Sequence, residues 1–377
     1  MQAARPHLLA AAAALALGAA GGDAAPLSPA AWQAFLSRSD PIFSWSQSDD
    51  AAPTKWYEAA FTGNGALGMM VRATQSPGGK VVDGLRFDVG RTDIYDDRAS
   101  QQPGSSGADP AANRTNFACD SPRLPIGIFL AHFASNNNAA LSSIDMRIDL
   151  YNGEVRGSVQ PSGGGACDFE LWSNAVYSAA DVSAIRVNCS EGVNVSLTWV
   201  PHRANSTWAK QCPGYKYNPA PQTATEGDVT TTTQMHLSGT SHGVGQVSPP
   251  HCLGRASSFA TVQTRSGPQT TIQRPDGNVD NTLFVSVVNV SKAAAATRAA
   301  AEIRKAVAAG YATLRAGHRR WWNSYYVNGS FLSISDTLLE SFCEPQRFLL
   351  KQCHRCHCYT PFLHAKFQDA STLVNTL

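Results

Sequence analysis

Two groups of residues have the types and spacing from which chemistry could be built. Near the C-terminal end, Cys353-His354-Arg355-Cys356-His357 matches the C-x-x-C-H form of a covalent haem site, and the neighbouring Cys358 invites a zinc reading. Haem would take His357 as one axial ligand, but no methionine follows to be the second, and zinc would need another Cys/His pair at finger spacing. A five-residue match of this kind is common by chance, so neither a cofactor nor a metal is expected. The second group lies earlier. Trp56, Tyr57 and Tyr95 could stack on a pyranose ring, and Asp93, Asp96, Asp97 and Arg98 could bind its hydroxyls. Gly63-Asn64-Gly65, with Gly68, permits a tight turn and close backbone approach. Each has a plainer alternative: aromatic packing, a solvated charged turn and an ordinary hairpin. Trp56, Asn64, Asp93 and Arg98 are the substrate-proximal candidates.

Composition narrows the partners. The chain has 377 residues, 43% of them hydrophobic and 15% charged, with a net charge of +2. Lysine and arginine form no run or stripe, so nucleic acid is not an expected partner. Arg5 followed by the apolar stretch Leu8 to Gly18 and small residues reads as a signal peptide over residues 1–22. That stretch is too short to span a bilayer, and no later one is long and apolar enough. The expected location is therefore the secretory lumen or beyond. Sequons at Asn113, Asn188, Asn194, Asn205, Asn289 and Asn328 agree with this. Of nine cysteines, Cys119, Cys167, Cys189, Cys212 and Cys252 are spread through the body and could form disulfides, whose pairing the sequence leaves open.

The elements that must position these residues are mostly strands. Leu85, Phe87 and Val89 alternate with polar residues and glycine, as do Met146, Ile148 and Leu150. Asn152-Gly153 then favours positive φ and a two-residue hairpin turn into Glu154–Val159. Val193, Val195, Leu197 and Trp199 repeat the pattern, which puts Asn194 on the solvent face; Asn188 is likewise out of phase with Ile185, Val187 and Cys189. Leu283 to Val290 is the last strand expected. Residues up to about Thr54, Gln101 to Asp109 and Pro219 to Pro250 read as polar or loop sequence. From about Ser291, Ile303, Val307, Tyr311, Leu314, His318, Trp321 and Tyr325 trace one helix face, weakened locally by Gly310 and Gly317. The fold class expected is mostly β: a large antiparallel β-sandwich followed by a helical linker.

Three segments bear a family likeness: Trp56 through Val71, Leu85 through Arg98, and Gly317-His318-Arg319-Arg320-Trp321-Trp322 followed by Phe331-Leu332-Ser333-Ile334. Together they resemble the N-terminal region of glycoside hydrolase family 95, the α-L-fucosidase-type enzymes, over roughly Trp45 to Phe342. The resemblance implies a β-sandwich at 45–290, a helical linker at 291–342 and then an (α/α)6 barrel. It also implies an inverting, metal-free mechanism on α-linked sugars such as fucosides.

Hydrolysis of a glycoside needs two carboxyl groups flanking the scissile bond, and the resemblance places both in the barrel. The sequence departs from the family after Leu339-Glu340-Ser341-Phe342, where Cys343-Glu344-Pro345 follows. Residues 343–377 read as an aberrant or disordered Cys/His-rich tail from a shifted reading frame or mis-splicing, since Pro345 could not sit inside a helix. No catalytic residue is therefore assigned, and the expected chain is the sandwich of a secreted glycoside hydrolase, inactive alone, with carbohydrate as partner. A stand-alone carbohydrate-binding or structural sandwich is the alternative. The oligomeric state is open.

Overall fold

A computed structural model describes residues 28–49, 51–76, 78–79, 81–92, 94, 124–136, 139–205, 217–226, 229–234, 257–262, 269–272, 282–289, 292–328, 345 and 348. The signal peptide expected at 1–22, the loop expected at 101–109, Asn113, and the Cys353–Cys358 cluster lie outside the described residues.

The chain is a mostly β antiparallel sandwich with a helical C-terminal part. After helix α1 (Pro29–Ser37) come β1 (Ile42–Ser46), a 3-10 turn (Trp56–Glu58), β2 (Ala60–Gly63), β3 (Leu67–Gln75), β4 (Val82–Arg91) and β5 (Gly127–Ser135). Then follow β6 (Leu141–Asp149), β7 (Glu154–Pro161), β8 (Cys167–Ser173), β9 (Ser183–Cys189) and β10 (Val193–Pro201). The last strands are β11 (Gln222–Glu226), β12 (Val229–Thr233), β13 (Ser257–Val262), β14 (Gln269–Ile272) and β15 (Thr282–Asn289), before helices α2 (Lys292–Ala309) and α3 (Tyr311–Asn328). The strands form a nine-stranded sheet in the order β1-β6-β7-β8-β9-β15-β13-β12-β11 and a six-stranded sheet in the order β14-β10-β5-β4-β3-β2.

Period-two alternation builds the core. Inward residues of the smaller sheet, such as Met69, Phe87, Phe129, Phe133 and Val195, face Ile144, Val155, Phe169, Ile185 and Val285 of the larger one. Phe87 and Phe169 meet edge to face across the two layers, their centroids 6.1 Å apart. Cys167 and Cys189, paired across β8 and β9, form a buried disulfide on this inner side. Asn188 and Asn194 are exposed, as their strand phase requires.

Several expectations are corrected. Residues before Thr54 contain α1 and β1 rather than only polar lead. Helix α1 starts at a serine cap: the Ala31 N–H donates to Ser28 Oγ at 3.2 Å, with proline in the first turn. Pro219 to Pro250 contains β11 and β12. These threonine-rich strands lack apolar alternation because β11 is an edge with every residue exposed, while β12 buries Thr230 and Thr232. The Asn152-Gly153 turn is not a two-residue loop. Asp149 pairs with Glu154, leaving four residues between the strands, and the Asp149 carboxylate accepts from Asn152 N at 3.1 Å and Nδ2 at 2.8 Å. Gly153 alone takes positive φ there, at 68°.

The single helix face splits in two. Gly310, at φ 78°, ends α2, its N–H donating to the Ala306 carbonyl at 3.0 Å. Helix α2 lays Ala295, Ala299, Ile303 and Ala306 inward, and Val307 is exposed. Helix α3 buries Tyr311, Leu314, His318, Trp322 and Tyr326, with Trp321 and Tyr325 only partly covered. Both pack on the outer face of the larger sheet, over Trp172, Ala184 and Phe284. That second cover explains why β15 is buried on both faces. Pro345 and Phe348, in the segment expected to be an aberrant or disordered tail, have helical backbone. Phe348 is fully buried, 4.8 Å from Trp322 and 6.0 Å from Phe61 between ring centroids.

Candidate functional site

The four substrate-proximal candidates do not converge. Asp93 and Arg98 lie outside the described residues. Asn64 sits in the β2–β3 turn beside Gly65, whose φ is 88°. Its Oδ1 accepts from Ala66 N at 3.1 Å and Leu67 N at 3.0 Å, and its Nδ2 donates to Asn174 O and Asp181 Oδ1, both at 3.1 Å. An amide offers two acceptor and two donor positions, so all of these are taken by protein. Asp181 continues the tie: its Oδ2 pairs with Arg91 Nη1 at 3.2 Å, and its N–H donates to Glu302 Oε2 of α2 at 2.9 Å. Asn64 thus joins the two sheets and the helix, and has no capacity left for a sugar hydroxyl.

Trp56 is placed differently. It opens the 3-10 turn at the edge of the smaller sheet, held by Glu58, whose Oε2 accepts from Lys55 N at 3.1 Å. Trp56 is 69% exposed and Tyr57 60%, although apolar rings of this size usually find cover. The rings stand nearly perpendicular at 82°, centroids 5.7 Å apart, and Lys55 Nζ lies 5.5 Å from the Tyr57 centroid. The turn is anchored to the sheet through Arg72, which donates to the Thr54 carbonyl and pairs with Asp88 at 3.1 Å. Arg86 meets the other Asp88 oxygen at 2.9 Å. Beyond them His202 is lowered, first by burial and then by the Arg86 charge. The exposed Trp56 and Tyr57 rings therefore follow closely on Thr54, the residue that Arg72 holds. Exposed rings of this kind can stack against the C–H face of a sugar ring.

A third constellation was missed by sequence reasoning. Glu154, fully buried at the start of β7, receives Arg315 Nε at 2.9 Å and Arg319 Nε at 2.7 Å from α3, and Arg156 at 3.2 Å. Arg315 also pairs with Glu170, which accepts from Tyr311 Oη at 2.6 Å. Burial would raise the Glu154 carboxyl, but the hydrogen bonds from Arg319 and Arg315 prevail and hold it at about 2. One turn away, His318 accepts from Ala175 N at Nδ1 and donates from Nε2 to the Gly153 carbonyl, both at 3.1 Å. Burial pushes His318 down to about 4, so the ring is neutral. The same Gly153 carbonyl accepts from Thr62 Oγ1 at 3.3 Å, and Trp322 lies against the Gly153 Cα. These groups are saturated by one another; they dock α3 on the sheet. No sequence pattern pointed to them beyond His318 on the helix face and the Asn-Gly turn.

No protein-family model matches the chain, and no curated protein matches it. Among solved structures, one described as "Putative kojibiose phosphorylase from human microbiome" is 11% identical with a TM-score of 0.41. The match covers 78% of this chain and 39% of that one, so the chain spans well under half the length of that structure.

Proposed function

We propose that this chain is the carbohydrate-holding β-sandwich of a secreted glycoside hydrolase of the family 95 type. It holds α-linked glycans such as fucosides at Trp56 and Tyr57 without cleaving them. The observation that carries the reading is the exposure of the Trp56–Tyr57 ring pair on the 3-10 turn. Binding rather than cleavage is supported by the pairing of carboxylates with arginine. Glu154, the most deeply buried of these, is held at about 2 by Arg319 and Arg315, whereas a general acid must keep its proton near working pH. Secretion is supported by the buried Cys167–Cys189 disulfide and by the exposure of Asn188, Asn194 and Asn328, which we assign as glycan acceptors together with Asn113, Asn205 and Asn289.

Affinity electrophoresis in fucosylated and unsubstituted polysaccharide tests the reading. Retardation of the native chain, lost in Trp56→Ala, is expected, as is no release from aryl α-L-fucosides. Equal mobility of the two proteins in every polysaccharide refutes the platform, and turnover refutes the non-cleaving role.

A further inference from the structure

We propose that a second carbohydrate site, sized for one sugar ring, lies at the end of the sandwich remote from the helices. It deepens the carbohydrate reading, on which its ligand class rests, but uses none of the same residues. A cavity of about 230 Å³ opens where β1, the β3–β4 turn and the start of β6 meet. Gln75 ends β3 and Leu141 begins β6; the opposite ends, Leu67 and Asp149, adjoin the Asn64 turn and the Gly153 junction. The volume falls below the ~300–1,000 Å³ of pockets for drug-sized ligands, so it suits a single ring rather than a chain.

The lining has two layers. Trp45, Ala52, Val82 and Leu141 form an apolar floor and are buried, and Gln47, Asp49 and Gln75 form an exposed polar rim. Gln47 donates from Nε2 to the Leu141 carbonyl at 3.2 Å and Ser162 Oγ at 3.1 Å, which fixes the side chain and leaves Oε1 as an acceptor. Asp49 Oδ2 accepts from Ser46 N at 2.6 Å and Ser46 Oγ at 3.1 Å, which leaves Oδ1 to accept. Gln75 brings two donors and an acceptor. Two oriented acceptors and one amide above an indole-containing floor match the hydroxyls and C–H face of a neutral monosaccharide. No lysine or arginine is among the described lining residues, and Asp49 repels anions, so phosphorylated or carboxylated ligands are disfavoured.

The test uses the whole chain and ligand-observed NMR titration with L-fucose, D-galactose and D-glucose. At least one of the three is expected to bind saturably with Kd of about 1–10 mM. Gln75→Ala and Asp49→Asn each weaken it about tenfold, the effect of one hydrogen bond. Gln75→Trp, at an exposed strand position where the larger ring is tolerated, closes the mouth and abolishes uptake. Trp56→Ala leaves it unchanged. Absence of saturable binding by all three sugars overturns the inference, as does native-like binding by Gln75→Trp. The two readings fail separately: monosaccharide uptake with polysaccharide retention indifferent to Trp56→Ala sinks only the platform. Retention lost in Trp56→Ala without monosaccharide uptake sinks only the cavity.

Discussion

Acidification should loosen the helix–sheet junction, and His318→Gln isolates the group responsible for the first step. In the fold His318 is buried, with the Ala175 N–H aimed at Nδ1, so protonating Nδ1 would set two donors against each other. Arg319 opposes the proton, and Glu154 and the Gly153 carbonyl favour it without overcoming burial. The ring therefore ionises at about 4 in the native state against 6.5 ordinarily. The unfolded chain takes the proton first as pH falls, so stability is fully present above 6.5 and declines until about 4. At 1.36 kcal/mol per pH unit the loss is about 3 kcal/mol, a large part of a typical ~5–15 kcal/mol stability. Glu154 adds a second decline of the same sign: its carboxyl is depressed from 4.5 to about 2, so its contribution is present above 4.5 and is lost as pH falls through about 2. Urea unfolding followed by tryptophan fluorescence between pH 7 and pH 4 measures the first step. His202 is also lowered by burial, so the difference between proteins, not the total slope, is the reading. His318→Gln should be less stable than the native chain at pH 7 and should lack about 3 kcal/mol of the subsequent loss. A variant that loses as much as the native chain over that interval refutes the reasoning.

Three further outcomes follow from the same geometry. Gly153→Ala places a methyl 2.2 Å from Trp322 Cδ1 at a φ of 68°; left-handed strain alone costs about 1–2 kcal/mol, and overpacking about 1–3 kcal/mol more. Calorimetry should show a lowered Tm, with near-UV circular dichroism reporting the displaced indole. Asn64→Ala removes the amide that ties the β2–β3 turn to Asn174 and Asp181 and should cost about 2–3 kcal/mol in urea unfolding without changing polysaccharide retention; lost retention with intact stability would contradict its structural role. Cys167→Ser with Cys189→Ser opens a crosslink of sequence separation 22 and should cost about 3 kcal/mol by chain entropy, seen as a lower urea midpoint than the native oxidised chain.

The alternation of apolar residues was enough to locate β4, β6, β7, β9 and β10, because a strand half-buried in a sandwich must repeat with period two. It could not locate β11 and β12, where a sheet edge requires no apolar row and threonine meets the backbone preference by itself. The helix pattern located the amphipathic segment but chose Val307, Trp321 and Tyr325 where Ala306, Trp322 and Tyr326 are the more deeply covered. A small alanine looks neutral in a sequence, yet it lets a helix approach a sheet closely. At the candidate site, Trp56 was legible as an aromatic, but its exposure was not.

The sequence by itself determined that the chain is mostly β, that Asn188 and Asn194 face solvent, and that helix follows strand. These features depend on periods of a few residues, which local patterning encodes. Tertiary structure alone decided that Glu154 is buried among arginines 161 and 165 positions away, that Asn64 is spent on the fold, and that Phe348 enters the core. The physical reason is the same in each case: desolvation and hydrogen-bond saturation are set by which distant segments meet, and one-dimensional periodicity holds no record of that.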